Sequence, residues 1–483
     1  MKPLYSINQL RKIEEKFQSH NLMEKAGKAS AEIIQVILGM GNFSILIISG
    51  EGNNGGDGFV AAKYLNEMNY DVKVLLAGNA ENLKGDALDA YKKWRDLGGV
   101  VLKEMPRESN WDLVVDALFG IGLNRDVSGE AARIINQLNQ LNLPIVSLDV
   151  PSGLNADTGN VFGLAVNATY TISFIGNKPG FYTLDGPDIT GKVFLSDLGL
   201  QVEEYKSGYL VDDVPCLPRR RPMNSHKGLN GSTFVIGGDE NMIGAALLSS
   251  RAALLIGSGK VYCCFISKNF PDVDLFQPEL MILKPEAIIQ DLCSGTVIIG
   301  PGMGMSGKSK SYLKAILNSN NELIIDADAL NILSEDKALQ VLLSSRSSSS
   351  VLTPHPGEAA RLLGCTNKEI QSNRIESAIN IARKYRCITV LKGCGSIIAT
   401  PDGHWFINST GNSGLSAAGM GDVLSGLIGG MAAQGMSLLD ATLLGVYLHG
   451  EASETIASKL GVFGITASEV MAESRSRLNF YMN

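Results

Sequence analysis

Histidine, cysteine and aromatic residues are scarce in this sequence, and their distribution excludes several kinds of protein. The 483 residues include five histidines and seven cysteines, with 6% aromatic residues. No two cysteines have the CxxC spacing of a zinc site or a thiol–disulfide exchange motif. A disulfide framework usually contains an even number of cysteines, whereas this sequence has seven. Reduced thiols in a cytoplasmic protein are therefore the simplest interpretation.

Long clusters of basic residues are missing as well. The formal net charge is -7 at pH 7, and the longest basic run is Arg219–Arg221, which is too short to neutralise a nucleic-acid backbone. This triplet lies between two prolines and suits a solvated linker better than a docking patch. Neither the apolar segment of a signal peptide nor a run long enough to span a bilayer is present. We therefore expect no nucleic-acid partner and no membrane association.

Short β-branched runs alternate with helical patterns along most of the chain, which is typical of parallel sheets covered by helices on both faces. In the first half, strands are predicted at residues 44–49, 72–77, 113–116, 145–150 and 170–174, with crossover helices such as 59–69 and 130–141. In the second half, strands are predicted at residues 233–238, 296–299, 323–326, 350–353, 388–391 and 396–399. Prolines and charge around residues 205–230 indicate a linker. We predict two α/β domains, residues 1–210 and 220–483.

A glycine-rich segment, Ser49 to Gly58, follows the first predicted strand and leads into a helix. Glycine lets backbone N–H groups approach a ligand, and a helix N-terminus attracts anions, so this segment favours phosphate binding. The Lys-Ser/Thr pair of a Walker loop does not follow. A glycine-rich turn capped by asparagine and aspartate remains the alternative.

Polar residues also follow the next strands of the first half. Asp116 and Asp149 each lie at a strand's carboxyl end, the edge where open α/β sheets bind ligands. Asn54, Asp116 and Ser152 offer hard oxygen ligands, which favour an alkali or alkaline-earth ion over zinc. Asp149 suits a general acid or base. Lys178 follows a further strand and either reaches the same edge or is a surface lysine in a turn.

These motifs resemble the NAD(P)HX epimerase family over roughly residues 1–205. Members of that family interconvert the R and S hydrates at C6 of the reduced nicotinamide ring. The resemblance implies a potassium ion on Asn54, Asp116 and Ser152. It implies proton transfer by Asp149, with Lys178 as a second candidate. The residues that it implies as contacts of the hydrated dinucleotide are Asn53, Asn54, Gly55, Gly56, Asp57, Gly120, Ile121, Gly122, Leu123, Asn124, Arg125, Asp126 and Asp149.

The second half contains a sharper motif, Asn412 to Asp422, which leads into the apolar helix predicted at residues 423–431. A glycine-rich turn at a helix start forms an anion hole from backbone N–H groups. Asp422, directly after it, is placed to take a proton from a substrate hydroxyl that attacks a terminal phosphate. Alternatively, Asp422 only caps the helix. Further motifs follow other predicted strands: Gly300–Gly304, Asp326–Leu330, Thr353–Glu358 and Leu391–Ser396.

Together with Gly237–Asp239 and Gly244–Ala246, these motifs resemble the ribokinase-like fold and, within it, the ADP/ATP-dependent NAD(P)HX dehydratase family, over about residues 220–480. The resemblance implies Mg²⁺ with ADP or ATP, and Asp422 as the base that lets the C6 hydroxyl be phosphorylated before phosphate leaves. Ala418 stands where the family often has glycine. The implied hydrate contacts are Ala245, Gly302, His355 and Asp422, and the implied nucleotide contacts are Lys392, Gly393, Cys394, Gly395, Ser396 and Gly421.

Both motif sets in one chain predict a bifunctional repair enzyme acting on the hydrates NADHX and NADPHX. One alternative is a ribokinase-like small-molecule kinase fused to a dinucleotide-binding module, since the anion hole and Asp422 suit it equally well. Another is a non-catalytic N-terminal binding module. His355–Glu358 and the N-terminal motifs favour the repair enzyme. We also expect a homo-oligomer, although the apolar run at residues 438–449 suits a buried core helix better than a subunit contact.

Overall fold

A computed structural model describes residues 1–106, 110–289 and 295–483. The chain forms two compact units, Lys2–Gly208 and Tyr209–Asn483. Within the described ranges, no helix combines the length and apolar character that crossing a membrane requires. The six cysteines in these ranges form no disulfide, and Cys293 lies outside them.

The N-terminal unit alternates helices and strands. In chain order its elements are β1 (Lys2–Leu4), α1 (Ile7–Lys16), α2 (Leu22–Leu38), β2 (Ser44–Ser49), α3 (Asn53–Glu67), β3 (Asp71–Leu76), α4 (Gly85–Asp96), β4 (Val100–Leu102), β5 (Leu113–Ala117), α5 (Gly129–Gln140), β6 (Ile145–Leu148), β7 (Tyr170–Phe174), α6 (Gly186–Ile189) and β8 (Lys192–Ser196). Strands β2 to β8 form one parallel sheet in the order β4-β3-β2-β5-β6-β7-β8. The strand order reverses between β2 and β5, where a ligand crevice is expected.

Strand β2 shows why this sheet is central to the unit. Ile45 and Ile47 pack into the core on one face, with Phe59 of α3. Leu46 and Ile48 pack on the other face, with Ile134 and Leu138 of α5. Alternate side chains of a strand point to opposite faces, so an uninterrupted apolar run forms a strand covered by helices on both sides. The five strands predicted for this half are all present.

Helix α3 begins at Asn53 rather than at the predicted residue 59, so that prediction of the helix start was wrong. Residues 53–58 of the glycine-rich segment are themselves the start of the helix. A Cβ atom on Gly55 would lie 1.9 Å from the carbonyl oxygen of Gly50, and one on Gly58 would lie 2.8 Å from Ala117 Cβ. Glycine is needed here because the helix approaches the ends of β2 and β5, which outweighs its weak helix propensity.

The C-terminal unit also alternates helices and strands. In chain order its elements are β9 (Gly208–Val211), β10 (Ser232–Gly237), α7 (Ile243–Leu255), β11 (Lys260–Phe265), β12 (Met281–Leu283), α8 (Glu286–Ile289), β13 (Thr296–Ile299), α9 (Gly307–Leu317), β14 (Glu322–Ile325), α10 (Ala327–Glu335), α11 (Lys337–Ser344), β15 (Ser350–Leu352), α12 (Pro356–Leu363), α13 (Asn367–Ser372), α14 (Arg374–Tyr385), β16 (Ile388–Leu391), β17 (Ile397–Ala399), β18 (Trp405–Asn408), α15 (Met420–Ala433), α16 (Leu438–Leu460) and α17 (Ala467–Met482).

The strands of this unit lie in the order β9-β18-β17-β16-β15-β14-β13-β10-β11-β12. From β12 to β16 the sheet is parallel, and its strand order reverses between β10 and β13. The expectation of a purely parallel sheet is wrong beyond β16, because β17 pairs antiparallel with both β16 and β18. Strand β9 lies inside the segment predicted to be a linker. The predicted α/β class is confirmed for both units.

Helix α15 and helix α16 form the apolar centre of the C-terminal unit on one face of the sheet. Every residue from Leu438 to His449 on α16 is buried or half-buried, and Leu444, Leu448 and Ile428 belong to one core cluster. The apolar run at residues 438–449 is therefore a core helix, the preferred interpretation from the sequence.

Candidate functional sites

The N-terminal site is a cavity of about 1340 Å³ at the carboxyl ends of β2, β5 and β6. Most of the residues predicted to contact the dinucleotide line this cavity: Asn53, Asn54, Asp57, the run Gly120 to Asp126, and Asp149. Gly55 and Gly56 are buried in the first turn of α3, where they allow its close approach to the sheet. The predicted contacts are thus gathered around one crevice at the reversal of strand order.

Asp149 and Lys178 form an ion pair at this edge. Lys178 Nζ lies 2.9 Å from Asp149 Oδ1 and also donates a hydrogen bond to Ser173 Oγ at 2.8 Å. Lys178 is fully buried, so the alternative of a surface lysine is wrong. The N–H of Ile121 donates to Asp149 Oδ2 at 3.1 Å. The carboxylate is therefore held from two sides while it faces the cavity.

The backbone of Asp149 is strained. Its φ of 64° lies in the left-handed region, which costs a residue with a side chain about 1 kcal/mol. Asp149 directly follows β6, and its N–H still donates to the carbonyl of Ile172 at 2.8 Å. This left-handed conformation lets the side chain leave the sheet edge and contact Ile121 and Lys178.

The three predicted potassium ligands, Asn54, Asp116 and Ser152, are buried, and a Cβ atom on Gly120 would lie 2.8 Å from Asp149 Oδ2 and 3.4 Å from Asn54 Cβ. Asp116 is fully buried and accepts hydrogen bonds from Ser152 Oγ at 2.6 Å and Ser147 Oγ at 2.8 Å. Burial raises the pKa of Asp116, and these hydrogen bonds oppose the rise. Both polar side-chain atoms of Asn54 are buried and have no hydrogen-bond partner within the described part of the chain. Of these two atoms, the oxygen can bind a cation, and a buried polar atom seldom lacks a partner, so the residues fit the ion.

The C-terminal site lies at the carboxyl ends of the parallel strands and centres on Asp326, which directly follows β14. Lys392 Nζ lies 3.0 Å from Asp326 Oδ1, and Ser425 Oγ of α15 donates to Oδ2 at 2.6 Å. Burial alone would lower the pKa of Lys392, but the carboxylates of Asp326, Glu358 and Asp422 raise it. Asp326 therefore orients a charged lysine beside the start of α15.

Asp422 lies in the first turn of α15, beside this pair. Helix α15 begins at Met420, and its N-cap residue is Gly419, with φ 84° and no side-chain cap. Asp422 is therefore not the N-cap residue, and the capping alternative is wrong. A Cβ atom on Gly421 would lie 3.1 Å from Lys392 Nζ. Burial and then the Asp326 carboxylate raise the pKa of Asp422 to about 7, while Lys392 lowers it.

The motif His355 to Glu358 forms a capping box at the start of α12. His355 Nδ1 accepts from the N–H of Gly357 at 3.0 Å, and Glu358 Oε2 accepts from the N–H of His355 at 2.8 Å. Burial and the charges of Lys392 and Arg361 lower the pKa of His355, so its ring is neutral at pH 7. Burial raises the pKa of Glu358 to about 7.

The remaining predicted contacts lie at two turns of the same edge. Gly302, with φ 56°, follows β13, and a Cβ atom on it would lie 3.2 Å from Ala245 Cβ. Gly302 and Ala245 are therefore close together where the strand order reverses, between β10 and β13. Lys392 to Ser396 form the turn between β16 and β17. Ala418 is exposed in the turn before α15.

Comparison with known proteins assigns the chain to a family. The family model described as NAD(P)H-hydrate dehydratase matches residues 233–475, and the YjeF-related protein N-terminus model matches residues 19–180. The bifunctional NAD(P)H-hydrate repair enzyme Nnr of Coxiella burnetii is 35% identical over 99% of this chain and 100% of its own. The Escherichia coli protein of that name is 35% identical over 95% of this chain and 90% of its own. The chain belongs to the bifunctional NAD(P)H-hydrate repair enzyme family.

Membership of the bifunctional NAD(P)H-hydrate repair enzyme family extends over both units, because these relatives align with nearly the whole chain. The two resemblances predicted from motifs are confirmed. Among solved structures, the ADP/ATP-dependent NAD(P)H-hydrate dehydratase of Bacillus subtilis co-crystallised with ATP/Mg²⁺ is 29% identical, covering 55% of this chain and 95% of that chain, with a TM-score of 0.49.

The structure adds site residues of this repair-enzyme chain that the motifs did not indicate. Glu14 of α1 lines the N-terminal cavity. Burial and the charge of Asp149 raise the pKa of Glu14 to about 7. Burial, Asp149 and Glu14 also raise the pKa of Asp57. Ser425 was missed too, although a lone serine one turn after Asp422 in an apolar helix could have indicated it. Glu14 had no such signal, because α1 precedes the first strand of the sheet.

Proposed function

We propose that the chain is a bifunctional NAD(P)H-hydrate repair enzyme with an epimerase domain, residues 1–210, and a dehydratase domain, residues 220–483. The N-terminal site would interconvert the R and S hydrates, and the C-terminal site would dehydrate the S hydrate at the expense of ADP or ATP. The observation that carries the proposal is 35% identity with the Coxiella burnetii enzyme over 99% of this chain. The carboxylates at the two candidate sites, Asp149 and Asp422, also support this proposal.

In the epimerase, Asp149 would pass the proton of the C6 hydroxyl to the ring nitrogen as the bond between C6 and that nitrogen breaks and C6 becomes a carbonyl. Attack of the nitrogen on the opposite face of this carbonyl, with return of the proton to the oxygen, would give the other epimer. The carboxylate of Asp149 is exposed to the cavity on one side and held by Lys178 and the N–H of Ile121 on the other. A base fixed in this way loses little freedom when the substrate binds. The dinucleotide would lie along the residues that line the cavity, with its phosphates at the first turn of α3, where unpaired N–H groups favour anions.

A potassium ion would be held by Asn54, Asp116 and Ser152. It would supply a fixed positive charge beside a fully buried carboxylate, which otherwise has only hydrogen bonds to offset its loss of water. The unpaired amide of Asn54 supports this assignment.

Potassium should raise the unfolding temperature of the chain relative to an equal concentration of choline, because a bound ion stabilises only the folded state. Asn54→Ala should remove most of this difference, since it deletes one ion ligand. Asn66→Ala, exposed on the same helix α3, is the matched control and should leave the difference intact. Thermal unfolding in the two salts measures the effect. An undiminished potassium effect in Asn54→Ala would contradict the assigned ligands.

In the dehydratase, Asp422 would take the proton of the C6 hydroxyl as that oxygen attacks the terminal phosphate. The N–H groups in the first turn of α15 and the ammonium of Lys392 would bind the phosphoryl oxygens. Phosphorylation makes the oxygen at C6 a good leaving group, and the lone pair of the ring nitrogen then helps to expel phosphate. Loss of a proton from C5, to the departing phosphate or to water, restores the C5–C6 double bond. Ala245, Gly302 and the neutral His355 would contact the hydrate.

Mg²⁺ would enter with the nucleotide and neutralise the charge of its phosphates. The carboxylates available to hold it beside Lys392 are Asp326, Asp328 and Glu358. Burial is the main cause that raises the pKa values of Glu358 and Asp422 to about 7, and a cation bound beside them would favour their ionised forms.

Dehydration should depend on the ionisation of Asp422, whose pKa is raised to about 7. A base acts only when it is deprotonated. The kcat/KM for the S hydrate should therefore fall roughly tenfold per pH unit below that value and level off above it. Initial rates of NADH formation at constant ionic strength give the profile. A profile that stays flat as the pH is lowered through the pKa would contradict the role of Asp422 as the base.

The products of the reaction separate this proposal from a small-molecule kinase of the same fold. Incubation of the purified S hydrate with Mg²⁺ and ADP or ATP should yield NADH and free phosphate in equal amounts. A kinase would instead leave a stable phosphorylated product. Capture of a nucleotide without either product would favour a binding module.

We further infer a cytoplasmic location from the free thiols of the six cysteines in the described ranges, which suit a reducing compartment. The substrates would be NADHX or NADPHX with ADP or ATP. Assembly into a homo-oligomer stays a prediction.

A further inference from the structure

Arg374 is a buried charge that the proposed reaction does not use. It is the first residue of α14 and only 2% exposed. In the part of the chain that the structure describes, no carboxylate forms a salt bridge with it. Instead, its Nη2 donates to the backbone carbonyls of Leu391 at 3.3 Å, Lys392 at 3.4 Å and Gly395 at 3.3 Å. These carbonyls belong to the end of β16 and to the turn that follows it.

The turn is shaped to fit this guanidinium. Gly393 has φ 141°, and a Cβ atom on it would lie 2.4 Å from Arg374 Nη1 and 2.8 Å from Nη2. A side chain at this position would displace the guanidinium or the turn. The glycine is therefore required by close packing against Arg374, and not only by its unusual φ.

The carbonyl contacts also set the direction of the backbone N–H groups. In a trans peptide, a carbonyl and the N–H of the next residue point in opposite directions. Because the carbonyls of Lys392 and Gly395 point toward Arg374, the N–H groups of Gly393 and Ser396 point away from it. N–H groups that point outward from a turn can bind an anion, and the guanidinium adds positive charge behind those of Gly393 and Ser396.

We propose that Arg374 is a positioning residue that shapes the turn Lys392–Ser396 into a site for the nucleotide's phosphates, without touching the nucleotide itself. This inference rests on the proposed dehydratase function of the same site. The permanent charge and planar group of arginine suit this role, since Nη2 alone donates to three carbonyls while the guanidinium lies against Gly393. Lysine keeps the charge but lacks the planar group that lies against Gly393.

The test is the affinity of the full-length protein for Mg²⁺–ADP and Mg²⁺–ATP, measured by calorimetry together with steady-state kinetics. Arg374→Met should raise the nucleotide Kd and KM by roughly tenfold or more, as expected for lost orientation of several hydrogen bonds. The kcat at saturating nucleotide should change much less, because Asp422 lies on a different element. Arg374→Lys should restore part of the affinity, and epimerisation should be unchanged in both variants.

Arg346 offers a matched control. Its guanidinium also donates to backbone carbonyls, those of Leu317 at 2.6 Å and Ser319 at 2.7 Å, but these lie at the C-terminal end of α9 and just after it. Arg346→Met and Arg374→Met should both lower the unfolding temperature, but Arg346→Met should leave the nucleotide Kd unchanged.

Four outcomes would count against the inference or the function on which it rests. An unchanged Kd in folded Arg374→Met, or an equal loss of affinity in Arg346→Met, would overturn it. If Arg374→Met fails to fold, the folded Arg374→Lys variant decides, and wild-type affinity in that variant would overturn the inference. If the wild-type protein itself binds neither nucleotide, the proposed dehydratase function fails first.

Discussion

Asp422→Asn should lower nucleotide-dependent recovery of NADH by roughly 10²–10⁴-fold, with epimerisation of the hydrates unchanged. The substitution keeps the size of the side chain and removes the base beside Lys392 and the first turn of α15. Because the pKa of Asp422 is raised to about 7, the wild-type carboxylate accepts a proton readily near neutral pH. Absorbance of the regenerated dinucleotide measures the loss.

The control for this variant is Asp402→Asn, which removes an exposed carboxylate of the same unit and should leave both activities at wild-type level. Wild-type dehydration by Asp422→Asn would show that Asp422 is not the base. Loss of both activities in a folded Asp422→Asn protein would contradict two independent sites.

Asp149→Asn should reduce R-to-S interconversion by roughly 10²–10⁴-fold and leave dehydration of the pure S hydrate intact. It should also destabilise the N-terminal unit by about 3 kcal/mol, because it leaves the buried ammonium of Lys178 without its partner. Chiral separation of the hydrates measures the interconversion, and chemical denaturation measures the stability.

The double variant Asp149→Asn/Lys178→Met separates these two effects. Removing both charges should recover most of the stability and none of the epimerase activity. If Asp149→Asn interconverts the hydrates at the wild-type rate, the N-terminal unit is better described as a binding module.

The sequence predicts strands best where both faces of the strand are buried. Strands β2, β7, β13 and β16 have the predicted bounds, because their apolar, β-branched runs are buried on both faces of a sheet. The starts of α3 and α15 were predicted too late. In both, a glycine of the first turn, Gly55 in α3 and Gly421 in α15, has another group close to where its side chain would be. Helix propensity alone would assign such glycines to the preceding loop.

Strand-end motifs predicted which residues would gather at each edge, since parallel strands align their carboxyl ends. They could not predict the burial of Lys178 or its pairing with Asp149, because a lysine in a turn is usually exposed. Glu14 and Arg374 reach the sites from helices outside any motif. Their positions depend on how those helices pack against the sheet, which spacing along the chain does not reveal.

The most direct test of the two-site account is complete repair of a mixed substrate. Purified protein is incubated with an equal mixture of R and S hydrates, Mg²⁺ and ADP or ATP, and NADH absorbance and free phosphate are followed together. The account predicts that the whole mixture returns to NADH with one phosphate released per molecule, whereas Asp149→Asn stops once the S hydrate is consumed. Recovery by the wild-type protein that stops at the same point, or accumulation of a phosphorylated dinucleotide, would contradict it.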